Sequence, residues 1–199
     1  MTDSTRREFI KATAVGAAAL LASSSRVLGA NDRVRVGMIG VGARGQDLLK
    51  QLLEVPNAQL VAIADVYSRR RDKARHLAPG IQTLNDHRRL LEMKDLDGII
   101  VASPLHLHAH HFLDVLAAGK DLYCEKTMTW SIPEAEQCMV AANKSNRVVQ
   151  IGLQHESSGA LADAKKWIKD GMLGKITQVE SWMSRNSPHG QGQWVRPLP

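Results

Sequence analysis

A glycine-rich segment, G-x-G-x-x-G at residues 40–45, has the residue types and spacing to bind the pyrophosphate of a dinucleotide. The first glycine permits a tight turn, the second lets the backbone approach a phosphate, and the third allows a following helix to pack closely. That helix would direct unpaired N–H groups and the positive end of its dipole at the phosphates. We therefore predict a dinucleotide-binding loop formed by Gly40, Gly42, Ala43, Arg44 and Gly45.

An acidic residue, Asp65, follows Gly45 by 20 residues and ends a second apolar run. A carboxylate at this position accepts hydrogen bonds from ribose hydroxyls and would repel a 2′-phosphate, which favours NAD over NADP. Three arginines at residues 69–71 could instead pair with the phosphate of NADP, or could form a solvated helix face. The sequence therefore predicts NAD as the cofactor and leaves NADP open.

A second group of reactive side chains, Glu125 and Lys126, directly follows a predicted strand at 122–124. Open α/β sheets bind ligands at the carboxyl ends of their strands, so this pair would face the dinucleotide. A lysine placed there can hold a carboxamide or a substrate hydroxyl and assist proton transfer. A surface Glu–Lys pair without a catalytic role is the alternative that the spacing alone leaves open.

Four histidines fall within six residues: His106, His108, His110 and His111. On a helix, His106 and His110 would share one face, and His108 and His111 would share another. No carboxylate or cysteine completes either pair, so we predict no metal site. We expect His106 and His108 to lie at a helix start facing the nicotinamide pocket, and His110 and His111 to lie on the helix surface.

Alternating apolar runs and helical patterns must position these side chains. The apolar run 34–39 predicts a buried parallel strand before the glycines, and helical spacing after them is set by Leu48, Leu49, Leu52 and Leu53. Helical patterns, two of them with predicted N-caps at Asp86 and Ser131, separate further predicted strands at 60–64, 81–84, 99–102, 122–124 and 148–151. This alternation predicts an α/β fold, a Rossmann-type doubly wound parallel sheet.

Residues 1–30 have the charged, apolar and small-residue order of a bacterial export signal. Thr5–Lys11 contains a twin-arginine pair, and an Ala-rich stretch at 12–22 precedes a plausible cleavage point at Gly29-Ala30. This stretch is well short of the roughly 20 residues that span a bilayer, so we expect no stable membrane span, with a buried or anchoring helix as the alternative. These features predict export to the periplasm by the twin-arginine machinery.

Charge and cysteine usage exclude several classes of function. The net charge of +6 is modest and is not gathered into a basic patch with aromatic residues, so no nucleic-acid partner is expected. The two cysteines, Cys124 and Cys138, show no metal-ligand spacing. We expect them to stay free, because a regular α/β core does not need a disulfide.

The chain divides into three predicted regions: a signal peptide at 1–30, a nucleotide-binding domain at 31–155 and the start of a second α/β domain at 156–199. Within the last region the pattern predicts a helix over 159–169 and a strand over 176–185. Because one lone strand cannot form a stable sheet, we expect this second domain to be incomplete.

Four segments together resemble the glucose–fructose oxidoreductase/inositol dehydrogenase family (Gfo/Idh/MocA) over about Arg33 to Asn186. They are VRVGMIGVGARG, Asp65, SPLHLHAHHFLDVLAAGKDLYCEKTM and QIGLQHESSGALADAKKWIKDGMLGKITQVESW. The resemblance implies an N-terminal NAD(P)-binding Rossmann domain, a C-terminal α/β domain with an open sheet, and oxidation or reduction of a sugar-like or cyclitol alcohol. It also implies a homo-oligomer for a full-length protein.

The resemblance assigns roles to individual residues. It implies that the glycines hold the pyrophosphate, that Asp65 holds the adenosine ribose, and that Lys126 lies near the nicotinamide and the reacting carbinol. Further residues that it places beside the cofactor are Ser103, Pro104, His108 and Glu125, and it places Gln154 beside the substrate pocket. Two alternatives stay open: a glycosidase that works by transient oxidation with bound NAD, and a nucleotide-binding module without catalytic activity.

Two features depart from the family pattern. Thr127 stands where the family usually has proline after Glu-Lys, often in a cis peptide. A cis bond before a residue other than proline costs about 3 kcal/mol, so we predict a trans bond here and a different placement of Lys126. The aspartate and histidine that assist proton transfer in the family would lie beyond Pro199, so we expect this chain alone to bind nucleotide without turnover.

Overall fold

The computed structural model describes residues 33–154 and 157–182. The predicted export signal at 1–30 and the segment 183–199 lie outside the described residues. The chain separates into two compact units between Leu153 and Gln154. No helix within the described part of the chain is long and apolar enough to cross a membrane.

The first unit is built on a six-stranded sheet in which every neighbouring pair of strands is parallel. The spatial order is β3-β2-β1-β4-β5-β6, so the direction of winding reverses between β1 and β4. The strands are β1 (Val34–Ile39), β2 (Ala58–Ala64), β3 (Gln82–Leu84), β4 (Gly98–Val101), β5 (Asp121–Glu125) and β6 (Val149–Gly152). The predicted doubly wound Rossmann-type sheet is therefore confirmed.

Helices connect successive strands, and two of them begin at recognisable N-cap residues. They are α1 (Ala43–Leu53), α2 (Ser68–Leu77), α3 (His87–Leu91), α4 (His108–Ala117) and α5 (Ile132–Lys144), and a 3₁₀ turn at Leu105–Leu107 precedes α4. The predicted caps are confirmed: Asp86 accepts a hydrogen bond from the Arg88 backbone N–H at 3.0 Å, and Ser131 forms a capping box with Glu134.

Two apolar layers fill the space between the sheet and the helices on its faces. One layer surrounds Phe112, Ile99 and Leu90 and receives α3, α4 and α5. The other surrounds Met38, Leu49 and Ile63 and receives α1 and α2. Helices packed on both faces leave the carboxyl ends of the strands as the edge where a ligand can be held.

Both cysteines lie in the first of these layers, with Cys124 on β5 and Cys138 on α5. They are free thiols and are buried. Burial raises the pKa of Cys124 to about 12 and that of Cys138 to about 11. They therefore serve the apolar packing of the layer as thiols rather than thiolates.

The second unit contains the predicted helix, α6 (Gly159–Lys169), which ends before Gly171 at a φ of 75°. The predicted strand over 176–185 is wrong for residues 176–182, which form no regular element and are exposed. A strand needs a neighbouring strand for its backbone hydrogen bonds, and this segment has none within the described residues. Residues 183–185 of the predicted strand lie outside the described part of the chain.

Candidate functional site

The glycine loop leaves β1 at the switch point of the sheet and leads into α1. Gly40 has a φ of +87°, and a methyl group there would lie 2.7 Å from the Ala102 carbonyl oxygen. A methyl group at Gly45 would overlap the Gly40 carbonyl oxygen and lie 3.0 Å from its carbonyl carbon. The folded backbone itself therefore requires glycine at both positions.

Gly42 differs from its two neighbours in the motif. A methyl group at this position would meet only the Arg70 guanidinium, at an ordinary contact distance of 3.7 Å. Its φ of −65° is open to any residue. The folded chain therefore does not need glycine here, which leaves close approach of a ligand as the physical reason for its presence.

Asp65 lies directly after β2 and fastens the glycine loop to the end of that strand. Its carboxylate accepts hydrogen bonds from the backbone N–H groups of Val41 and Tyr67, each at 2.9 Å. The residue is buried, with 8% of its surface exposed. A carboxylate has about four acceptor sites, so two remain for the hydroxyls of a ribose.

The arginines that follow Asp65 turn back toward it. An Arg70 Nη1 lies 3.8 Å from an Asp65 carboxylate oxygen, and Arg71 donates a hydrogen bond to the Asp65 carbonyl oxygen at 2.7 Å. Arg71 also donates to the Val66 carbonyl oxygen at 3.0 Å. Two of the three arginines on α2 thus contact Asp65, the residue predicted to bind the ribose, and do not form only a solvated helix face.

Arg44 and Glu125 form an ion pair that joins the glycine loop to the end of β5. Arg44 Nε donates to Glu125 Oε1 at 2.8 Å, and only 5% of the Glu125 side chain is exposed. Burial, together with the Glu125 carboxylate beside it, raises the pKa of Tyr123. A buried carboxylate needs a compensating cation, and Arg44 supplies it. Since 81 residues separate the two partners, no sequence pattern indicates this pair.

Lys126 follows Glu125 and is exposed at the same edge of the sheet. The predicted trans bond after it is wrong: the Lys126–Thr127 peptide bond is cis. The prediction used only the local preference of a peptide bond before threonine. That preference ignores the tertiary contact that holds this turn, in which His108 Nδ1 lies 2.7 Å from the Thr127 carbonyl oxygen.

His108 begins α4 and is 2% exposed. Besides the Thr127 contact, its Nε2 lies 2.8 Å from the carbonyl oxygen of Ser103, the second residue after β4. Whichever ring nitrogen carries hydrogen therefore finds a carbonyl acceptor. His108, which was predicted to contact the cofactor, thus connects the segment after β4 with the segment after β5.

Pro104, also predicted beside the cofactor, occupies the N-cap position of the 3₁₀ turn between Ser103 and His108.

The remaining histidines fall into separate environments. His106 is exposed in the 3₁₀ turn, and His110 is exposed on α4 as predicted. The prediction that His111 lies on the helix surface is wrong, since only 7% of it is exposed. Position 111 belongs to the stripe of α4 that also buries Phe112 and Val115. Burial lowers the pKa of His111 to about 4, and its Nδ1 lies 2.9 Å from Ser103 Oγ.

The structure brings most of the predicted site residues of the first unit to one edge. Gly40, Asp65, Ser103 and Glu125 lie within two residues of the carboxyl ends of β1, β2, β4 and β5 respectively, and these four strands are neighbours in the sheet. Gln154 is exposed and begins the second unit, so its predicted place beside the substrate stays a prediction. A sheet of this order with a glycine loop at its switch point defines the class of dinucleotide-binding Rossmann domains.

Comparison with known proteins assigns the family. Residues 34–153 match the oxidoreductase family with an NAD-binding Rossmann fold (GFO_IDH_MocA), and the chain belongs to this family. Inositol 2-dehydrogenase 3 from Saccharopolyspora erythraea is 30% identical over 145 residues, which cover 71% of this chain and 42% of that protein. A glycosyl hydrolase family 109 protein from Stenotrophomonas maltophilia is 34% identical over 131 residues, which cover 60% of this chain and 29% of that protein.

A solved structure supports the fold independently. Scyllo-inositol dehydrogenase from Lactobacillus casei, with bound NAD(H) and scyllo-inositol, superposes with a TM-score of 0.68 at 24% identity. The match covers 73% of this chain and 43% of that chain. This chain therefore spans less than half the length of the relatives it matches.

Proposed function

We propose that the protein is an NAD-dependent oxidoreductase that acts on a sugar-like or cyclitol alcohol. The observation that carries this proposal is the meeting of three features at one sheet edge: the glycine loop, Asp65 and the Glu125–Lys126 pair. The names of the relatives support the substrate class, since inositol is a cyclitol. NAD is favoured over NADP because the Asp65 carboxylate would lie next to a 2′-phosphate.

Residues at this sheet edge would bind the cofactor, orient the substrate and assist proton transfer. The backbone of residues 40–45 holds the pyrophosphate, and Asp65 accepts hydrogen bonds from the ribose. NAD, when bound, supplies the hydride acceptor, so that the alcohol becomes a ketone while one proton is released. The exposed Lys126 hydrogen-bonds the substrate hydroxyl and assists the loss of that proton. Arg44 keeps the buried Glu125 in position beside it.

A lysine substitution tests this role in the full-length protein. Lys126→Ala should retain NAD binding and lower kcat by roughly 10²–10⁴-fold, because a positioned acid–base group contributes about that much. Lys144→Ala is the matched control, since Lys144 is exposed in the last turn of α5, which leads to the amino end of β6 rather than to the carboxyl ends of the strands. Undiminished turnover in the Lys126 variant would contradict the proposed role.

The similarity to a glycosyl hydrolase family 109 protein favours a second candidate, glycoside cleavage through transient oxidation. In that reaction bound NAD would be reduced and then reoxidised in each cycle, so that no NADH accumulates. Recording NADH absorbance together with release of the sugar product separates the two functions. Product formation with accumulating NADH supports the dehydrogenase, and product formation without it supports the hydrolase.

Export by the twin-arginine route is part of the proposal. The support is the order of charged, apolar and small residues in 1–30, and a second, chemical consideration. NAD is made inside the cell, so a protein that uses NAD outside must fold around it before export, and the twin-arginine route carries folded proteins. Mass spectrometry of the nucleotide released from exported protein would identify the cofactor.

A further inference from the structure

We propose that His87, His110 and Asp114 form a binding site for one divalent transition-metal ion, such as Zn²⁺ or Ni²⁺, between α3 and α4. His110 and Asp114 are four residues apart on α4 and so face the same side of that helix. His87 opens α3 and reaches the same point from the neighbouring helix. The sequence prediction of no metal considered histidine pairs within residues 106–111, and neither His87 nor Asp114 lies in that segment.

The distances among the three side chains suit a common ion. His87 Nε2 lies 2.8 Å from Asp114 Oδ2, and His110 Nε2 lies 3.3 Å from the same oxygen. The three potential ligand atoms lie within 4.8 Å of one another. With metal–ligand bonds of about 2.0–2.2 Å, two ligands of one tetrahedral ion are about 3.4 Å apart. The His110–Asp114 distance already fits this value, and His87 would need to move away from Asp114 by about half an ångström.

The donor set selects the kind of ion. Two imidazoles and one carboxylate suit Zn²⁺, Ni²⁺, Co²⁺ or Cu²⁺, whereas Mg²⁺ and Ca²⁺ prefer oxygen ligands throughout. Three protein ligands leave one position for water. The site would therefore be an open one, reached from solvent on the side of His110, whose side chain is 60% exposed.

The surroundings hold the least exposed ligand in place. The side chain of His87 is 13% exposed, and its ring packs edge-on against the buried His111 ring, with 4.4 Å between centroids. Its second nitrogen, Nδ1, lies 3.7 Å from an Asp86 carboxylate oxygen. This distance is too long for a hydrogen bond, so Asp86 contributes a nearby negative charge and the packing against His111 restrains the ring.

Access and charge are also compatible with a cation. A surface cavity of about 410 Å³ opens beside His110 and Asp114 and is lined in part by Glu92. Arg88 lines the same cavity, and its Nε lies 3.8 Å from Asp86, so a carboxylate balances this cation. The ion would link α3 to α4, both of which pack on the same face of the sheet.

Titration calorimetry of the full chain with Zn²⁺ tests the proposal, with Co²⁺ absorption as a second readout of ligand geometry. We expect one Zn²⁺ per chain at this site, and roughly tenfold or greater weakening in each of His110→Ala and Asp114→Asn. His76→Ala is the matched control, because His76 is an exposed histidine on α2 and should leave the affinity unchanged.

Circular dichroism of each variant distinguishes lost ligation from lost folding, and the exposed position of His110 makes that variant the one least liable to unfold. Absence of stoichiometric Zn²⁺ binding to the wild-type chain would overturn the proposal. Equal affinity of the folded wild-type, His110→Ala and Asp114→Asn chains would overturn it as well. Neither outcome depends on the proposed oxidoreductase activity, since no step of the assay requires turnover.

Discussion

Alanine substitutions at Gly42 and Gly45 should separate a glycine that the fold needs from one that the ligand needs. At Gly45 the added methyl group overlaps the Gly40 carbonyl, which is backbone and cannot rotate away. Overpacking against such a group costs about 3 kcal/mol of the free energy of unfolding. For a chain of this size the unfolding midpoint should then fall by roughly 6–12 °C.

At Gly42 two small effects oppose each other. Alanine reduces the entropy of the unfolded chain, which stabilises the fold by about 0.4–1 kcal/mol. It is also a poorer N-cap of α1 than glycine, which offsets that gain. The net change in the free energy of unfolding should stay within about 1 kcal/mol. The methyl group would instead occupy the space through which a phosphate approaches the backbone, so NAD affinity should fall.

Thermal unfolding with and without NAD measures both effects in one assay. At a concentration of 100 times Kd, NAD adds about 2.7 kcal/mol to the free energy of unfolding, which raises the wild-type midpoint by roughly 5–11 °C. Gly42→Ala should melt near the wild type without NAD and lose most of this rise. Gly159→Ala is the control, because no atom lies within 4 Å of its added methyl group.

The two refuting results are distinct. A midpoint of Gly45→Ala equal to that of the wild type would show that the overlap with the Gly40 carbonyl is relieved without cost. A full NAD-dependent rise in Gly42→Ala would show that phosphate does not approach the loop at this position.

Three further predictions follow from other parts of the chain. Arg44→Met should lower the free energy of unfolding by about 1–2 kcal/mol in urea denaturation, because the buried Glu125 loses its cation while the partial exposure of Arg44 limits the loss. Adding Glu125→Gln should restore part of that free energy, because no buried charge then stays unpaired. Because burial raises the pKa of Cys124 to about 12 and of Cys138 to about 11, both stay protonated at pH 8 and should not react with a thiol reagent until denaturant exposes them; rapid reaction of the folded protein would contradict this. Lysine at both residues 6–7 should retain the full-length protein inside the cell, as measured by cell fractionation, and unchanged export would count against the twin-arginine signal.

Most of the sheet could be predicted from the sequence because its central parallel strands contain short apolar runs bounded by turn or cap signals. Asp86 and Ser131 are examples in which one polar residue marks a helix start by its own side-chain chemistry. The strand expected over 176–185 failed for residues 176–182 because alternation indicates only a half-buried strand and cannot supply the neighbour with which it must pair.

Contacts within the site were predictable only where a motif is continuous in sequence, although several residues outside that motif were correctly expected at the same sheet edge. The loop at 40–45 and Asp65 belong to one strand–loop–helix–strand unit, so their proximity follows from spacing alone. The Arg44–Glu125 pair, the His108–Thr127 contact and the meeting of His87 with Asp114 depend on how separate strand and helix ends are arranged. No local pattern contains that arrangement.

The three ties at the strand ends have a consequence for binding. Asp65 joins the glycine loop to the end of β2, Arg44 joins it to the end of β5, and His108 joins the segments that follow β4 and β5. These loops therefore lose their conformational entropy when the chain folds rather than when the nucleotide arrives. Preorganisation of this kind raises affinity without any added contact. The nucleotide should accordingly dissociate at a rate set by its own contacts with the loop, because none of these three contacts has to break when it leaves.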